Sequence, residues 1–284
     1  MSNSIEKLIQ RNPHPDFKKV EESRPEFESD IKFHYTKTPH PEWTPGSGAT
    51  TDEWKAHKKL EIDPYGEGRN PILNYKLLIS GIVPRPIGLI SSISAAGVKN
   101  LSPFSYTTVV NHDPPIFCIG LSCGSGNFKD TCKNILQTKE LTINVISEFF
   151  IEAANYTSTN APEDVSEWDL SGLTEAPSTK VKPSHVAESI FSVEAKLLYT
   201  HEWFSKSTGK QTGTLCICEG VNFHVREDAM NADHSIIDCA VLQPVARQGG
   251  ITYTRATQGF ELLRPDYDTE KEKPEIQAAL KRNA

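Results

Sequence analysis

Short apolar runs and stretches of alternating hydrophobic and polar residues recur between residues 87 and 225, and this pattern predicts a protein made mainly of β-strands. Short apolar runs at 87–93 and 116–122 end in turn residues. Every second position is apolar over 141–145 and again over 191–199, a period typical of strands with one buried face. Because these strands follow one another closely and few helices separate them, the pattern favours an antiparallel barrel over a doubly wound parallel sheet.

A helical period replaces the alternation at a few places. Residues 71–80 predict a short helix or an extended lead-in, and residues 129–136 predict a helix whose N-cap is Asp130. Ser147 is the expected N-cap of a further helix over 148–155. These helices are expected at the periphery of the strands.

The chain is predicted to have three parts. Residues 1–69 are polar and proline-rich but carry several aromatic side chains, which indicates an arm that docks on the main domain or on a partner subunit. Residues 70–264 form the predicted barrel, with a long loop at 156–189. Residues 265–284 are highly charged and predict a tail with a short surface helix.

Charge and hydropathy narrow the classes of partner. The net charge of −7 and the pI of about 5.8 argue against a nucleic-acid groove or an anionic membrane surface. No run approaches the roughly 18 apolar residues of a membrane span. The first residues, M-S-N-S-I-E-K-L-I-Q, resemble neither a signal peptide nor a transit peptide, so a cytoplasmic location is expected.

The six cysteines are expected to be buried thiols rather than metal ligands or redox centres. None forms a C-x-x-C pair, and no histidine pair lies at zinc spacing beside them. Cys216 and Cys218 alternate in an apolar strand, so their side chains are expected to point the same way. No metal site is predicted.

The residues whose side chains are best suited to binding a ligand lie between positions 82 and 131. Arg85 is held between two prolines in P-R-P-I, Lys129 stands just before a predicted helix, and hydroxyl and amide side chains gather where strands end. Small donors, two cations and a stiff backbone suit a flat anionic cofactor better than a metal or a nucleic acid. The chain has no G-x-G-x-x-G or Walker loop, and no G-x-S-x-G for a nucleophilic serine.

The order of these motifs is similar to that of a known family. P-R-P-I is followed by a serine-rich strand, N-L-S-P-F-S, D-P-P and K-D-T-x-x-N-I, and farther along by S-E-W-D-L-S-G-L-T, P-S-T-K-V-K-P and L-Q-P-V-A-R-Q-G-G-I-T-Y. Over roughly residues 70–264 the chain resembles the flavin reductase-like FMN-binding split-barrel proteins. The N-terminal segments F-K-K-V-E-E-S-R-P and F-H-Y-T-K-T-P resemble the extension of a fungal branch, the DIM6/NTAB-type flavoprotein oxygenases.

The resemblance implies a six-stranded antiparallel Greek-key split barrel with a few peripheral helices. It also implies a homodimer with FMN near the subunit interface and NADH or NADPH as co-substrate, in which hydride passes from nicotinamide C4 to flavin N5. The bound groups supply this chemistry, so no catalytic residue is predicted. The physiological electron acceptor is left open.

For the FMN phosphate, the resemblance and the chemistry of a dianion both point to the predicted helix after Lys129. Lys129, Thr131 and the first helix amides suit a phosphate. Ser91 and Ser92 could add hydroxyls. Asp130, in the same motif, would repel phosphate and is therefore expected to cap the helix. The alternative is a surface lysine beside an ordinary helix start.

For the pyrimidine edge of the flavin ring, the predicted residues follow one another in the chain. They are Asn100, Ser102, Pro103, Phe104 and Ser105. Their amides, hydroxyls and proline-kinked backbone suit hydrogen bonds to a polar ring edge. Phe104 is expected either to pack on or near the ring or to belong to the core.

Two arginines and a tyrosine complete the predicted cofactor site. Arg85 either meets the phosphate or the N1–O2 edge of reduced flavin, or it forms a structural salt bridge. In the family, the segment with Arg247 and Tyr253 lies close to the flavin, often across the dimer. Tyr253 is the best candidate to cover the ring.

Three functions remain open at this point. The leading one is an NAD(P)H-dependent flavin reductase. The alternatives are an FMN-binding electron carrier without nicotinamide activity and a non-catalytic split barrel that serves as an interaction module. His112, His224 and Arg226 have no assigned role, because a place near the cofactors and a structural or solvated position fit them equally well.

Overall fold

The main element of the protein is a seven-stranded antiparallel sheet. The computed structural model describes residues 13–123 and 128–282. In chain order, strands β1 to β7 are Gly88–Ile93, Lys99–Phe104, Thr107–His112, Pro115–Ser122, Glu140–Val145, Phe191–Phe204 and Gln211–Val225. The predicted mainly antiparallel β fold is confirmed, with seven strands in this sheet of the described residues where six were expected.

The seventh strand arises because residues 101–110 do not form one continuous strand. Pro103 lies inside β2, which is the last strand at one end of the sheet, where a missing N–H is tolerated. The chain turns at Ser105 and Tyr106, and β3 then pairs with β4. At the other extreme, β7 is a single long strand with a register shift between Gly220 and Asn222.

The order of strands shows how the sheet closes. It runs β2-β1-β5-β6-β7-β4-β3, so β2 and β3 lie at opposite ends. These two strands are consecutive in the chain and only Ser105 and Tyr106 separate them. The sheet must therefore curl until its two ends meet, which is the geometry of a barrel.

The helices are short and lie around the sheet. The described α-helices are Phe17–Glu22, Pro71–Gly81, Asp130–Thr138, Ile151–Tyr156, Glu167–Ser171, Cys239–Leu242, Tyr267–Glu270 and Pro274–Arg282, and the 3-10 helices are Glu53–Ala56, Glu148–Phe150 and Glu227–Ala229. Among the residues that the structure describes, no helix is both long enough and apolar enough to cross a membrane.

One predicted helix cap is wrong, and the other, Ser147, is the N-cap as predicted but makes no capping hydrogen bond. Lys129, in extended conformation, is the N-cap of the helix Asp130–Thr138, and Asp130 is its first residue. The Ser147 side chain does not cap the turn that follows it, because its hydroxyl donates to the Leu242 carbonyl at 2.6 Å. The expected helix over 148–155 consequently begins as the 3-10 turn Glu148–Phe150 and only then becomes α-helical.

The two faces of the sheet are buried in different ways. One face, together with the helix Asp130–Thr138, forms an apolar core that includes Ile90, Ile119, Ile135 and Leu141. Cys216 and Cys218 lie in this core, fully buried, as their alternation predicted. On the other face, a second apolar cluster around Leu89 and Leu101 packs under the helices and loops of residues 146–186.

The predicted loop at 156–189 has some regular structure. It contains the helix Glu167–Ser171 and a small antiparallel pair formed by Glu175–Ala176 and His185–Val186. The Glu167 carboxylate accepts a hydrogen bond of 3.1 Å from the backbone N–H of Leu101 on the end strand β2. Burial raises the pKa of Glu167 above its usual value. This segment thus covers the second face of the sheet and one of its ends.

The described residues fall into two compact units. The first contains residues 13–30 and Asn70–Ala256. The second contains Ile31–Arg69 and residues 257–282, where His34–Tyr35 and Gln258–Gly259 pair as short parallel strands. The boundaries expected at 69 and 264, and the docking of an N-terminal arm, stay predictions. The first twelve residues of that arm lie outside the described residues.

Candidate functional site

The start of the helix Asp130–Thr138 is the first candidate site. The Lys129 side chain is exposed, and Lys129 is the N-cap of this helix but forms no capping hydrogen bond through its own side chain. The first amides of an α-helix have no partner within the helix, and they lie at the positive end of its dipole. Such a start offers N–H donors and positive potential to an anion.

A buried amide network fixes this helix to the sheet. Asn100 donates its side-chain amide to the Thr131 hydroxyl at 2.8 Å, and Asn134 donates to the Ser92 hydroxyl at 3.1 Å. Ser92 and Asn100 are direct partners in the register of β1 and β2. Asn100, which was expected at the ring edge, therefore lies at the predicted phosphate end. Sequence reasoning missed Asn134, although it stands one helical turn after Thr131.

The two predicted serines do not lie together. Ser91 and Ser92 are consecutive in β1, so their side chains point to opposite faces of the sheet. Ser92 faces the helix, whereas Ser91 is opposite Leu101 on the other face and is 1% exposed. The structure therefore brings only Ser92 to the helix start.

Charges around the first helical turn are of both signs. The Lys133 ammonium pairs with Asp130 at 2.9 Å and with Glu163 at 3.1 Å. Hydrogen bonds to these two carboxylates raise the pKa of Lys133. A shallow depression beside the network is lined by Lys99, Asn100, Asp130 and Glu163, among others. Asp130 is thus neutralised by Lys133 instead of capping the helix.

The segment from Ser102 to Ser105 runs away from the helix start along β2. Ser102 and Phe104 share the face of Asn100, while Pro103 is opposite Leu89 on the other face. Phe104 is 7% exposed and belongs to the core, and the Lys129 ammonium lies 5.9 Å from the centre of its ring. Phe104 therefore contacts both the apolar core and the Lys129 ammonium at the helix start.

Arg85 is buried at the other end of β2. Its guanidinium donates to the carbonyls of Ile79, of Ile82 at 2.7 Å and of Gln248 at 3.0 Å, and its Nε lies 3.5 Å from the Ser105 hydroxyl. These partners are main-chain carbonyls at the C-terminal end of the helix Pro71–Gly81 and in a loop, whereas the predicted structural role was a salt bridge. A cation suits the negative end of a helix dipole.

Arg247 and Tyr253 lie opposite each other in a small hairpin formed by Val245–Arg247 and Tyr253–Arg255. The Arg247 guanidinium is 4.5 Å from the centre of the Tyr253 ring, and the Tyr253 hydroxyl donates to the Asn155 side chain at 2.8 Å. Backbone hydrogen bonds between Arg85 and Arg247 join this hairpin to the P-R-P segment. Nothing in the sequence pattern indicated the role of Asn155.

Several of the predicted residues, together with Asn134, form two groups connected by β2. The helix-start group contains Ser92, Asn100, Lys129, Thr131 and Asn134. The hairpin group contains Arg85, Ser105, Arg247 and Tyr253. From Asn100 to Ser105 the strand advances five residues, or roughly 17 Å at about 3.4 Å per residue. This separation suits an extended ligand with an anionic end and a flat end.

His224 and Arg226, whose roles were open, take part in ion pairs. His224 Nε2 lies 2.6 Å from a carboxylate oxygen of the fully buried Glu194, and its ring stacks on His185 with centroids 3.9 Å apart. Arg226 pairs with the exposed Asp228 at 2.6 Å. His112 is exposed at the end of β3. The described residues hold no group of three or more His, Cys, Asp or Glu side chains that could bind a metal.

Comparison with known proteins places these features in a family. The flavin reductase-like domain matches residues 80–242, which is more than half of the chain. An uncharacterised protein of Halalkalibacterium halodurans is 35% identical over 202 residues, covering 70% of this chain and 94% of that protein.

Solved structures agree with this match. Nitrilotriacetate monooxygenase component B from Bacillus cereus is 29% identical, with a TM-score of 0.68 over 72% of this chain and 100% of that chain. The 2-nitrobenzoate 2-nitroreductase NbaA of Pseudomonas fluorescens is 26% identical, with a TM-score of 0.64 over 73% and 98% of the two chains. The domain match and the curled antiparallel sheet lead to one conclusion: the chain belongs to the flavin reductase-like family.

Proposed function

We propose that the protein binds FMN and acts as an NAD(P)H-dependent flavin reductase. The observation that carries this proposal is the start of the helix Asp130–Thr138, where the first helix amides and the exposed Lys129 side chain offer donors to a phosphate and Asn100 fixes Thr131 in place. Members of this family bind flavin, and FMN has one terminal phosphate. The helix-start group would hold that phosphate.

The hairpin group would hold the flavin ring. Arg85 and Arg247 contribute two positive charges, and positive potential beside the N1–O2 edge stabilises a reduced, anionic ring. Tyr253 offers a flat apolar surface whose orientation is set by Asn155 and Arg247. Ser102 and Ser105, on the strand between the two groups, supply hydroxyls to the polar parts of the ligand.

When bound, the flavin supplies the ability to accept a hydride from a nicotinamide. The chain's own residues bind and orient it: Lys129 and Thr131 fix one end, and Tyr253 and the β2 segment fix the plane of the other. Orientation of this kind contributes most when the reacting atoms are held at about 3–3.5 Å. No side chain is assigned as a general acid or base.

The proposal is tested by the visible spectrum of the purified protein with FMN, before and after anaerobic NADH or NADPH. Either nicotinamide should bleach the oxidised flavin band, and air should restore it. Bleaching by dithionite but by neither nicotinamide over minutes would overturn the reductase and leave an electron carrier. A protein that binds no FMN would be the non-catalytic interaction module.

A homodimer is part of the proposal. Tyr199, His201 and Trp203 lie on one outward face of the distal half of β6, and Tyr199 and Trp203 are 64% and 52% exposed. Exposed aromatic side chains grouped in this way are typical of interaction surfaces. Light scattering should give twice the chain mass, and Trp203→Glu should shift the protein toward a monomer. A monodisperse wild-type monomer with full FMN affinity would contradict the homodimer.

Three further assignments belong to the same proposal. These are membership of the fungal branch, a cytoplasmic location, and small molecules rather than nucleic acids or membranes as partners. The net charge of −7 supports the last of them.

A further inference from the structure

Arg255, at the end of the hairpin that carries Tyr253, forms a two-pronged ion pair with Glu148. Its Nε lies 2.6 Å from one carboxylate oxygen of Glu148, and its Nη2 lies 3.2 Å from the other. The two side chains are only 20% and 13% exposed. Bidentate pairs of this type fix both distance and orientation, so the end of the hairpin is held firmly on the turn Glu148–Phe150.

The same guanidinium also holds the N-terminal segment. Its Nη1 donates to the Glu28 carbonyl at 3.0 Å, and its central carbon lies 4.3 Å from the centre of the Phe27 ring. Residues 13–30 belong to the same compact unit as the barrel. They precede residues 80–242, which match the family domain. The extension therefore contacts Arg255, which follows the matched residues and is itself fixed by Glu148 within them.

Arg255 is connected to Tyr253 by the geometry of the strand. Residues two apart in a strand point to the same face, so both side chains face the helical segment of residues 148–156. Arg255 is anchored there by Glu148 and Tyr253 by Asn155. A shift of one anchor would tilt the short strand and move the Tyr253 ring.

We propose that Phe27 and Glu28 act through Arg255 as positioning residues for Tyr253, so that the N-terminal segment forms part of the flavin-ring site. This inference rests on the proposed function for the place of Tyr253 beside the ring. The Phe27 ring covers the guanidinium and limits the access of water to the pair between Arg255 and Glu148. Without it, the pair is more solvated and the hairpin opens more often.

The test compares Phe27→Ala with the matched control Phe17→Ala. Phe17 belongs to the same segment, is 40% exposed and has Arg24 as its cation neighbour, 5.7 Å away within that segment. Two quantities are measured: amide hydrogen exchange over residues 245–255 in flavin-free protein, and the dissociation rates of FMN and riboflavin. Cation–π contacts at exposed sites suggest changes of roughly two- to fivefold.

Phe27→Ala should speed exchange in the hairpin and should speed release of FMN and riboflavin equally, because the change acts at the ring and not at the phosphate. Phe17→Ala should alter neither quantity. Arg255→Lys, which keeps the charge but loses the two-pronged geometry, should act like Phe27→Ala with a larger effect.

The possible failures are distinguishable. Unchanged hairpin exchange in Phe27→Ala would overturn the inference and leave the proposed function intact. Faster amide exchange over residues 245–255 in Phe27→Ala, with unchanged dissociation rates of FMN and riboflavin, would overturn the proposal that the segment positions Tyr253 at the flavin ring. Wild-type protein that binds neither flavin would overturn the proposed function itself, and with it the inference.

Discussion

Two polar regions lie on opposite faces of the same sheet, and they differ in how their hydrogen bonds are satisfied. On one face, a buried polar layer formed by Ser91, Thr142, Asn144, Ser192 and Glu194 lies beneath the loop of residues 177–186. On the other face, Asn100 and Asn134 of the helix-start group fix the helix Asp130–Thr138, and the exposed Lys129 side chain lies at its start. The comparison is between a polar layer covered by a loop and a polar group at the exposed start of a helix.

Glu194 is the centre of the buried polar layer. Its carboxylate accepts hydrogen bonds from the backbone of Thr179, Lys180 and Val181 and from the side chains of Asn222 and His224. Burial acts to raise the pKa of Glu194, but these hydrogen bonds outweigh burial and hold its pKa well below its usual range. The loop is thus attached to the sheet through a charge that has no capacity left for a ligand.

The helix-start group is arranged differently. Asn100 and Asn134 use their amides to fix the helix, and the exposed Lys129 side chain lies at its start, 5.9 Å from the centre of the Phe104 ring. The first amides of a helix have no partner within it, and this is the basis on which an anion site is proposed there. Four substitution or pH experiments test this difference, and they are described in order of expected effect.

The largest effect is expected from Glu194→Ala. Removing the carboxylate leaves several buried donors unpaired, and breaking a buried charged network of this kind costs about 3–5 kcal/mol. The melting temperature should fall by roughly 6–20 °C for a domain of this size. Asp228→Ala, which breaks the exposed pair with Arg226, should leave the melting temperature almost unchanged. Equal losses in the two variants would contradict a structural role for the buried polar layer.

Lys129→Gln should weaken ligand binding and leave stability almost unchanged, whereas Glu194→Ala acts on stability. Charge-assisted hydrogen bonds contribute roughly 1.5–3 kcal/mol, so FMN affinity should fall by about one to two decades, while riboflavin affinity and the melting temperature remain almost unchanged. Lys139→Gln is the matched control, because Lys139 caps the opposite end of the same helix. Fluorescence titration measures both ligands, and equal losses for FMN and riboflavin would remove Lys129 from the phosphate site.

Acid should destabilise the buried polar layer in two steps. Burial lowers the pKa of His185, with the neighbouring His224 as a second cause, so the unfolded chain binds a proton more readily and stability falls as pH decreases below about 6.5. Glu194, whose pKa is also lowered in the folded protein, contributes stability that is lost at lower pH, below about 4.5. Melting temperatures measured over this range should show both steps.

The control for this experiment is His185→Phe, which keeps an aromatic ring against His224. His185→Phe should remove the decline in melting temperature that begins near pH 6.5 and keep the decline that begins near pH 4.5. An unchanged upper step would show that His185 does not cause it.

The smallest effect is expected from the pair Ser92→Ala and Ser91→Ala. Ser92→Ala leaves the Asn134 amide without its acceptor, at a cost of about 0.5–1.5 kcal/mol, and should weaken FMN about two- to tenfold. Ser91→Ala should leave FMN affinity unchanged, because its side chain lies on the other face. A loss of FMN affinity in Ser91→Ala would contradict the separation of the two regions.

The sequence by itself determined much of the fold. Short apolar runs were enough to place β1 and β4, and alternation of apolar residues placed β5, because burial of one sheet face requires a period of two. The same period implies that Ser91 and Ser92 point apart, a consequence that the motif-based grouping overlooked. The ordered motifs indicated the family, and P-R-P-I, N-L-S-P-F-S and K-D-T contain most of the residues of the two groups.

Only the tertiary structure decided which polar side chains find hydrogen-bond or ion-pair partners within the protein. The partners of Glu194 come from a loop and a neighbouring strand, and Arg255 meets Glu148 and Glu28 across 107 and 227 residues of chain. Local patterns contain no information on such pairings, because hydrogen bonds between distant segments depend on how the sheet curls. The same residue types therefore lie in a buried polar layer on one face and beside the start of a helix, the proposed phosphate site, on the other.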